Sequence, residues 1–146
     1  MLEFLASFPL ANVHVTFVFI TLGLVVLADS HGLLWLLGKL ETLPRQRMEL
    51  LHKLIWIGLS IVLISGGGMF LLYQEYLVNI TAFWIKMTFV SALLINAFFI
   101  GKLAHKSYNR PFVLLTHEER MPMFISGAIS TAAWIGAFLA AQFLGL

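Results

Sequence analysis

The sequence LANVHVTFVFITLGLVVLA, residues 10–28, contains no Asp, Glu, Lys or Arg. A helix that crosses a bilayer needs about 20 mostly apolar residues. Apolar segments of that length recur along the chain and predict spans at about residues 10–37, 50–73, 83–103 and 123–144. We expect these spans to be helices, because an open sheet would leave backbone polar groups unsatisfied in hydrocarbon.

The composition agrees with a membrane protein of one domain, residues 1–146. Hydrophobic residues make up 60% and charged residues 11% of the chain, with a mean hydropathy of +0.94, whereas soluble proteins carry about 25% charged residues. The absence of cysteine excludes disulfides, thiolate catalysis and cysteine-ligated metal clusters. No basic run or nucleic-acid-binding motif is present, so we expect no nucleic-acid partner. The leader Met1-Leu2-Glu3 is acidic, unlike a signal peptide, which favours a retained first span.

Short connections predict the topology and the start of the fourth helix. Neighbouring helices joined by short loops pack antiparallel, so we expect an integral membrane, all-α, antiparallel four-helix bundle that runs up-down-up-down. Thr116 and Glu119 fit a capping box that opens a short stretch ahead of the fourth helix. Pro122 fits the first turn of that helix, and His117 is expected in a solvated loop.

The positive charges predict the orientation. Only Lys86 of the nine Lys and Arg residues lies toward the end of the bundle that holds the second loop. Basic loops face the cytoplasm, so we expect both termini on the non-cytoplasmic side, in a bacterial inner membrane. The eight cations of the opposite end are Lys39, Arg45, Arg47, Lys53, Lys102, Lys106, Arg110 and Arg120.

Small residues mark two faces for close packing. The fourth segment carries Ser126, Ser130, Ala133 and Ala137 at helical spacing, which lets helices approach closely in lipid. The second segment carries three consecutive glycines, residues 66–68, each costing about 1 kcal/mol of helix propensity relative to Ala. Three explanations of these glycines are open: a tight helix crossing, a local kink, or a flat cofactor that rests on the bare backbone at Gly67.

Ionisable groups are costly in hydrocarbon and are therefore candidates for function. His14 and Lys86 lie at similar depth, given a rise of about 1.5 Å per residue. His14 is either a satisfied structural residue, a haem ligand or a proton-handling group. No other histidine shares its depth, so iron there is five-coordinate or pairs with Met69 or Met87. Lys86 either extends to the headgroups, holds a carboxylate, such as a propionate, near His14, or takes part in proton transfer.

A second set of candidates lies near the basic end. They are the histidines His31, His52 and His105. Either they have no function at the interface, or two of them bind haem b as a pair, or they form a divalent-metal site with Asp29. Arg45 and Lys102, with the neighbouring cations Arg47 and Lys53, are candidates to hold haem propionates. For Asp29 itself we expect that the first helix emerges from the membrane there, followed by an interfacial turn at residues 32–37. The alternative is that Asp29 accepts a hydrogen bond from a histidine or arginine at this end.

Several of these features together resemble a known group. They are His14 early in the first helix, a basic loop after it, Trp84-Ile85-Lys86 in the third helix, and Glu119 with Pro122 in the fourth. In these the chain is similar to small bacterial four-helix membrane proteins related to the haem-type protoporphyrinogen IX oxidase, a group akin to copper-resistance-D-like and b-type cytochrome bundles. The chain differs from that pattern at Ser65-Gly66-Gly67-Gly68, where a proline is expected.

The resemblance implies binding of haem b, with His14 and Lys86 essential. It implies oxidation of protoporphyrinogen IX to protoporphyrin IX, with electrons passed to the quinone pool. A haem-binding redox protein with a porphyrin or quinone partner is therefore the first hypothesis. A small transporter or ion-translocating subunit, working as a homo-oligomer through Asp29, His14 and Lys86, is the second. A non-catalytic subunit of a larger membrane complex is the third.

Overall fold

The computed structural model describes residues 2–108 and 110–144, with side chains at 9–105, 108 and 110–144. These residues form helices and turns without any strand, which confirms the predicted all-α fold. A short 3₁₀ helix precedes the last long helix. The four long helices are α1 (Leu2–Leu36), α2 (Arg45–Leu77), α3 (Thr81–Ser107) and α4 (His117–Gln142), and the 3₁₀ helix is Phe112–Leu114.

All four long helices are long and apolar enough to cross a membrane. Their outer surfaces are apolar as well, with Ile64 75% and Leu71 69% exposed. Soluble proteins rarely present large contiguous apolar surfaces, so the chain is an integral membrane protein in contact with lipid. The helices extend beyond the predicted spans, because polar turns such as those at Arg45 remain helical after the apolar segment ends.

The first helix does not end at Asp29. It continues through Asp29 to Leu36, so the expected interfacial turn at residues 32–37 is wrong. Gly38 lies two residues beyond the end of the helix, and its φ of 70° lies in the left-handed region. Glycine adopts this conformation without a steric penalty and is the usual residue after a helix C-terminus. Asp29 is therefore a residue within the membrane-spanning helix.

The start of α4 is partly as predicted. The Thr116 side chain accepts from the Glu119 backbone N–H, and the Glu119 side chain accepts from the Thr116 backbone N–H, so the capping box is confirmed. It opens α4 itself rather than a separate stretch. Pro122 is the sixth residue of α4 and lies beyond the first turn where it was predicted, so the proline removes the helix hydrogen bond that an N–H at this position would make to the Glu118 carbonyl. His117 is the exposed first residue of α4, not a loop residue.

The helices associate as two pairs. The first pair joins α1 to α2, and the second joins α3 to α4. In the first pair His14 lies against Gly66, and Thr21, further along α1, lies against Gly58, earlier in α2. A Cβ atom at Gly58 would overlap the Thr21 hydroxyl, so this glycine permits the close approach of the two helices. The up-down-up-down course of all four helices stays a prediction.

The second pair packs through the predicted small face of α4. Ser126, Ser130, Ala133 and Ala137 are all buried, which confirms the packing interpretation. The Asn96 side-chain amide donates to the Ser126 carbonyl at 3.0 Å, and the Ser126 hydroxyl donates to the Asn96 side-chain oxygen at 2.8 Å. These two hydrogen bonds join α3 to α4 inside the membrane.

The two loops rich in cations meet at one end of the bundle, which we call the basic end. Trp35, only 2% exposed, belongs to one core cluster with Leu43, Met48 and Leu115. Its indole N–H donates to the carbonyl of Arg110 in the third loop at 3.2 Å. The first and third loops therefore pack together over the end of α1.

Candidate functional site

The His14 imidazole is held by α2. Its Nδ1 atom lies 3.0 Å from the Val62 carbonyl oxygen and 3.2 Å from the Ser65 hydroxyl oxygen. A carbonyl only accepts, so Nδ1 carries the proton and Nε2 keeps its lone pair. The Ser65 hydroxyl donates to the Ile61 carbonyl at 2.7 Å and is thereby oriented to accept from the ring. Ser65 is a site residue to which the sequence pattern gave no role, although it directly precedes the glycine run.

The glycine run leaves room for this ring. A Cβ atom at Gly66 would lie 3.1 Å from His14 Cε1, and one at Gly68 would lie 3.5 Å from Leu10. The tight-crossing interpretation therefore applies at Gly66. Gly67 is different, because no atom lies within 4 Å of its Cβ position and the residue is exposed. Its predicted contact with a cofactor stays a prediction.

Lys86 approaches His14 from the second helix pair. Its charge lies close enough to act electrostatically on the His14 ring, and the side chain is half-buried. Among the described residues no hydrogen bond or salt bridge to the Lys86 ammonium is found. The structure thus brings His14 and Lys86 together across the two pairs and leaves the ammonium available for an acidic ligand.

The three histidines of the basic end do not form one cluster. His52 and His105 lie within electrostatic range of each other, and His105 packs edge-on against Tyr108 at 5.6 Å between ring centroids. His31 is engaged elsewhere, with Nδ1 2.7 Å from the Leu27 carbonyl and Nε2 3.4 Å from Arg47. Within the described part of the chain, no three His, Cys, Asp or Glu side chains are grouped to hold a metal ion. The predicted metal site of His31, His52 and His105 therefore gains no support.

The two predicted propionate partners lie on the surface. Arg45 forms a 2.7 Å salt bridge to Glu49, with both side chains largely exposed. The Lys102 ammonium lies 4.8 Å from the centroid of the Phe98 ring. Exposed contacts of this kind contribute at most about 1 kcal/mol, so neither side chain is firmly held, and their role toward propionates stays a prediction.

A cavity of about 530 Å³ lies between the two helix pairs near the basic end. A side pocket of about 50 Å³ shares part of its wall, including Asp29 and His52. Binding sites for small molecules commonly measure 300–1,000 Å³ and are lined mostly by apolar groups. The larger space, which we call the inter-pair cavity, is lined by residues from all four helices, among them Val26, Asp29, Trp35, His52, Leu103, Met123 and Gly127.

Asp29 is the distinctive residue of this cavity. It is half-buried, and no hydrogen bond or ion pair to its carboxylate is found among the described residues. Of the side chains that the structure describes, no other acidic residue and no Lys or Arg lines either space. The sequence could not reveal this arrangement, because the cavity arises from the separation of two helix pairs and not from any one segment.

Comparison with known proteins does not assign the chain to a family: no protein-family model, no curated protein and no solved structure matches it.

Proposed function

We propose that this chain is a haem b-binding redox protein of the membrane, with His14 as the ligand of the iron. The observation that carries the proposal is the donation of the His14 Nδ1–H to the Val62 carbonyl. Histidines that bind metals almost always donate their other ring N–H to a carbonyl, carboxylate or water, which orients the ring and raises its basicity. The resemblance to haem-type porphyrinogen oxidases supports the same residue.

The residues around His14 fit such a group. His14 Nε2 offers a lone pair, and the exposed backbone at Gly67 offers a surface without neighbouring side chains within 4 Å. The half-buried Lys86 ammonium suits a propionate. When bound, haem b would supply one-electron chemistry at this place. His14 would hold the iron, Lys86 would hold a propionate, and Val62 and Ser65 would keep the ring in the ligating tautomer.

The reaction class that we propose follows the resemblance. It is oxidation of a porphyrinogen, with electrons passed to a membrane quinone. A lysine ammonium in a partly buried position is also able to give up or regain a proton as charge changes nearby. Lys86 is the residue of the described site that suits this role.

The pair His52 and His105 is the alternative place for haem, since those two rings lie within electrostatic range of each other.

The proposed orientation puts both termini on the non-cytoplasmic side of a bacterial inner membrane. It is supported by the cations at the basic end, where the first and third loops pack together. The chain has no cysteine, so single cysteines introduced at Glu41 and at Asn79 report the two sides with a membrane-impermeant thiol reagent. Labelling of the Glu41 position from outside the cell would reverse the proposed orientation.

The test of function is an absorbance spectrum of the purified chain, oxidised and then reduced with dithionite. We expect a Soret band that the His14→Ala variant loses, while the matched control His117→Ala, altered at an exposed histidine, keeps it. A wild-type chain produced with ample haem that shows no Soret band and no pyridine haemochrome would refute the proposal. Loss of haem in His52→Ala, with the haem content of His14→Ala unchanged, would show that the histidine ligand of the iron lies at the basic end.

Translocation of an ion or small molecule is the second candidate, because Asp29 lines a cavity within the membrane. A charged side chain in a membrane-spanning helix commonly marks a substrate or ion path. Four helices enclose little space, so this function calls for a homo-oligomer. Absence of flux in liposomes, together with a monomer in mild detergent, would exclude it.

A further inference from the structure

The walls of the inter-pair cavity have an unusual charge balance. The basic end carries most of the cations of the chain, yet no Lys or Arg is found among the described side chains that line the cavity or its side pocket. Within that described lining, Asp29 is the sole residue with a formal charge, and His52 is the sole histidine. The remaining lining is apolar, aromatic or weakly polar. The interior of the cavity therefore has the opposite polarity to the loops around it.

We propose that the inter-pair cavity binds a lipophilic monocation, such as a protonated amine with a large apolar body, and that Asp29 is its counter-ion. A half-buried carboxylate that lacks a protein partner is costly unless water or a cation compensates it. The cavity, at about 530 Å³, has the size of a small-molecule site. An apolar body would replace lipid or water along the leucine, valine and methionine side chains of the wall.

One further feature of the wall suits an ionised Asp29. The side pocket of about 50 Å³ adjoins Asp29 and His52 and also reaches Asn96 and Ser130. Since a buried water needs about 10–15 Å³ of such space and two or more polar partners, the pocket has room for roughly three to five waters. These waters would solvate the carboxylate before the ligand arrives.

The same walls disfavour an anion. A ligand with carboxylates, such as haem with its propionates, would meet Asp29 and would find no cation among the described residues of the wall. The proposed site is therefore separate from the His14 and Lys86 site, and it does not rest on the haem proposal.

The test uses two probes of nearly equal size and opposite charge. Tetraphenylphosphonium and tetraphenylborate are each titrated into the full chain in nanodiscs, with binding to empty nanodiscs subtracted. We expect saturable binding of tetraphenylphosphonium and none of tetraphenylborate. Asp29→Asn should weaken tetraphenylphosphonium binding by about tenfold or more, because loss of one partner of a desolvated charge pair has effects of this size. Asp29→Glu, which restores the carboxylate, should recover most of the affinity.

A second variant tests the location without changing charge. Gly127 lines the cavity, and no atom lies within 4 Å of its Cβ position. Gly127→Leu should occupy part of the cavity and weaken binding, whereas Glu41→Gln, in the exposed first loop, should leave it unchanged. Because Gly127→Leu favours helix, it remains informative if Asp29→Asn fails to fold.

Three results would overturn the proposal. They are equal binding of the two probes, wild-type affinity in Asp29→Asn, and wild-type affinity in Gly127→Leu. The His14→Ala variant should bind tetraphenylphosphonium normally. Loss of that binding would place the probe at the His14 site and would also reject a separate cavity site.

Discussion

His14 of α1 donates its Nδ1–H to the Val62 carbonyl of α2 at 3.0 Å. A helix carbonyl has two lone pairs, so Val62 accepts from the ring without giving up its place in the backbone ladder. The bond satisfies a polar side chain in the membrane and at the same time selects the tautomer with a free Nε2. A structural role and a ligating role are therefore not alternatives for this residue, since the first prepares the second.

The space around the His14 ring can be tested at the glycine run. We expect Gly66→Ala to displace the ring, because the new Cβ would lie 3.1 Å from His14 Cε1. A strain of about 1 kcal/mol is the usual scale for mild overpacking, and it should lower the haem content of the purified chain. Gly68→Ala is the matched control, since its Cβ would lie at an ordinary 3.5 Å from Leu10. Equal haem content in the two variants would show that Gly66 has no part in haem binding.

The close approach within each helix pair predicts a stability effect. Gly58→Ala should clash with Thr21, and Gly136→Ala should clash with the Phe89 ring. Each should lower the free energy of unfolding by about 1–3 kcal/mol. Denaturation in mixed micelles, followed by circular dichroism, measures the change. Gly101→Ala, with no atom within 4 Å, is the control and should be neutral or stabilising; a loss there equal to that of Gly58→Ala would contradict the explanation.

The hydrogen bonds between Asn96 and Ser126 should couple α3 to α4. Asn96→Ala removes both hydrogen bonds, whereas Ser126→Ala removes only the one that the hydroxyl donates and keeps the carbonyl acceptor. The coupling energy of the hydroxyl bond should lie at about 0.6–1.7 kcal/mol, between the average and the maximum for polar contacts between membrane helices. A double-mutant cycle in the same unfolding assay gives this number. Coupling near zero would mean that each side chain finds another partner when its neighbour is removed.

Tyr108 lies outside the spanning segments, and we expect its phenol to make the free energy of unfolding depend on pH in the alkaline range. Burial raises the pKa of its phenol above the ordinary value, and Glu49 raises it further, while Arg45 acts in the opposite direction. Between the unfolded pKa of about 10 and the higher folded pKa, the unfolded chain loses the proton first. The free energy of unfolding should therefore fall as pH rises above about 10.

Tyr108→Phe should lack this part of the decline. The measurement compares unfolding of wild type and variant at pH about 9 and about 11, on either side of the ordinary phenol pKa. Identical slopes in the two proteins would show that the phenol ionises equally well in both states.

The features that were predictable from sequence are those set by single segments. Hydropathy identified four helices, and the spacing of Ser126, Ser130, Ala133 and Ala137 identified the buried face of α4. The capping box at Thr116 was also visible, because its two partners are three residues apart. Each of these depends on local spacing along one helix.

The features that were not predictable depend on contacts between helices. Gly58 gave no signal of its own, because its importance comes from Thr21 on another helix. Of the three glycines at 66–68, the sequence could not tell which one meets His14, since that depends on the rotation of α2. The turn expected after Asp29 was wrong because a charge in an apolar run suggests the end of a helix, whereas α1 continues to Leu36 and Asp29 lines a cavity.

The division of the bundle into two pairs has a consequence for biogenesis. The contacts of Thr21 with Gly58 and of His14 with Val62 are complete within residues 2–77, so the first pair can assemble in the bilayer before α3 and α4 are added to it. The second pair joins later, and only then does the cavity exist. A ligand of that cavity would therefore act on the last assembly step, in which two preformed halves dock, and would favour their union.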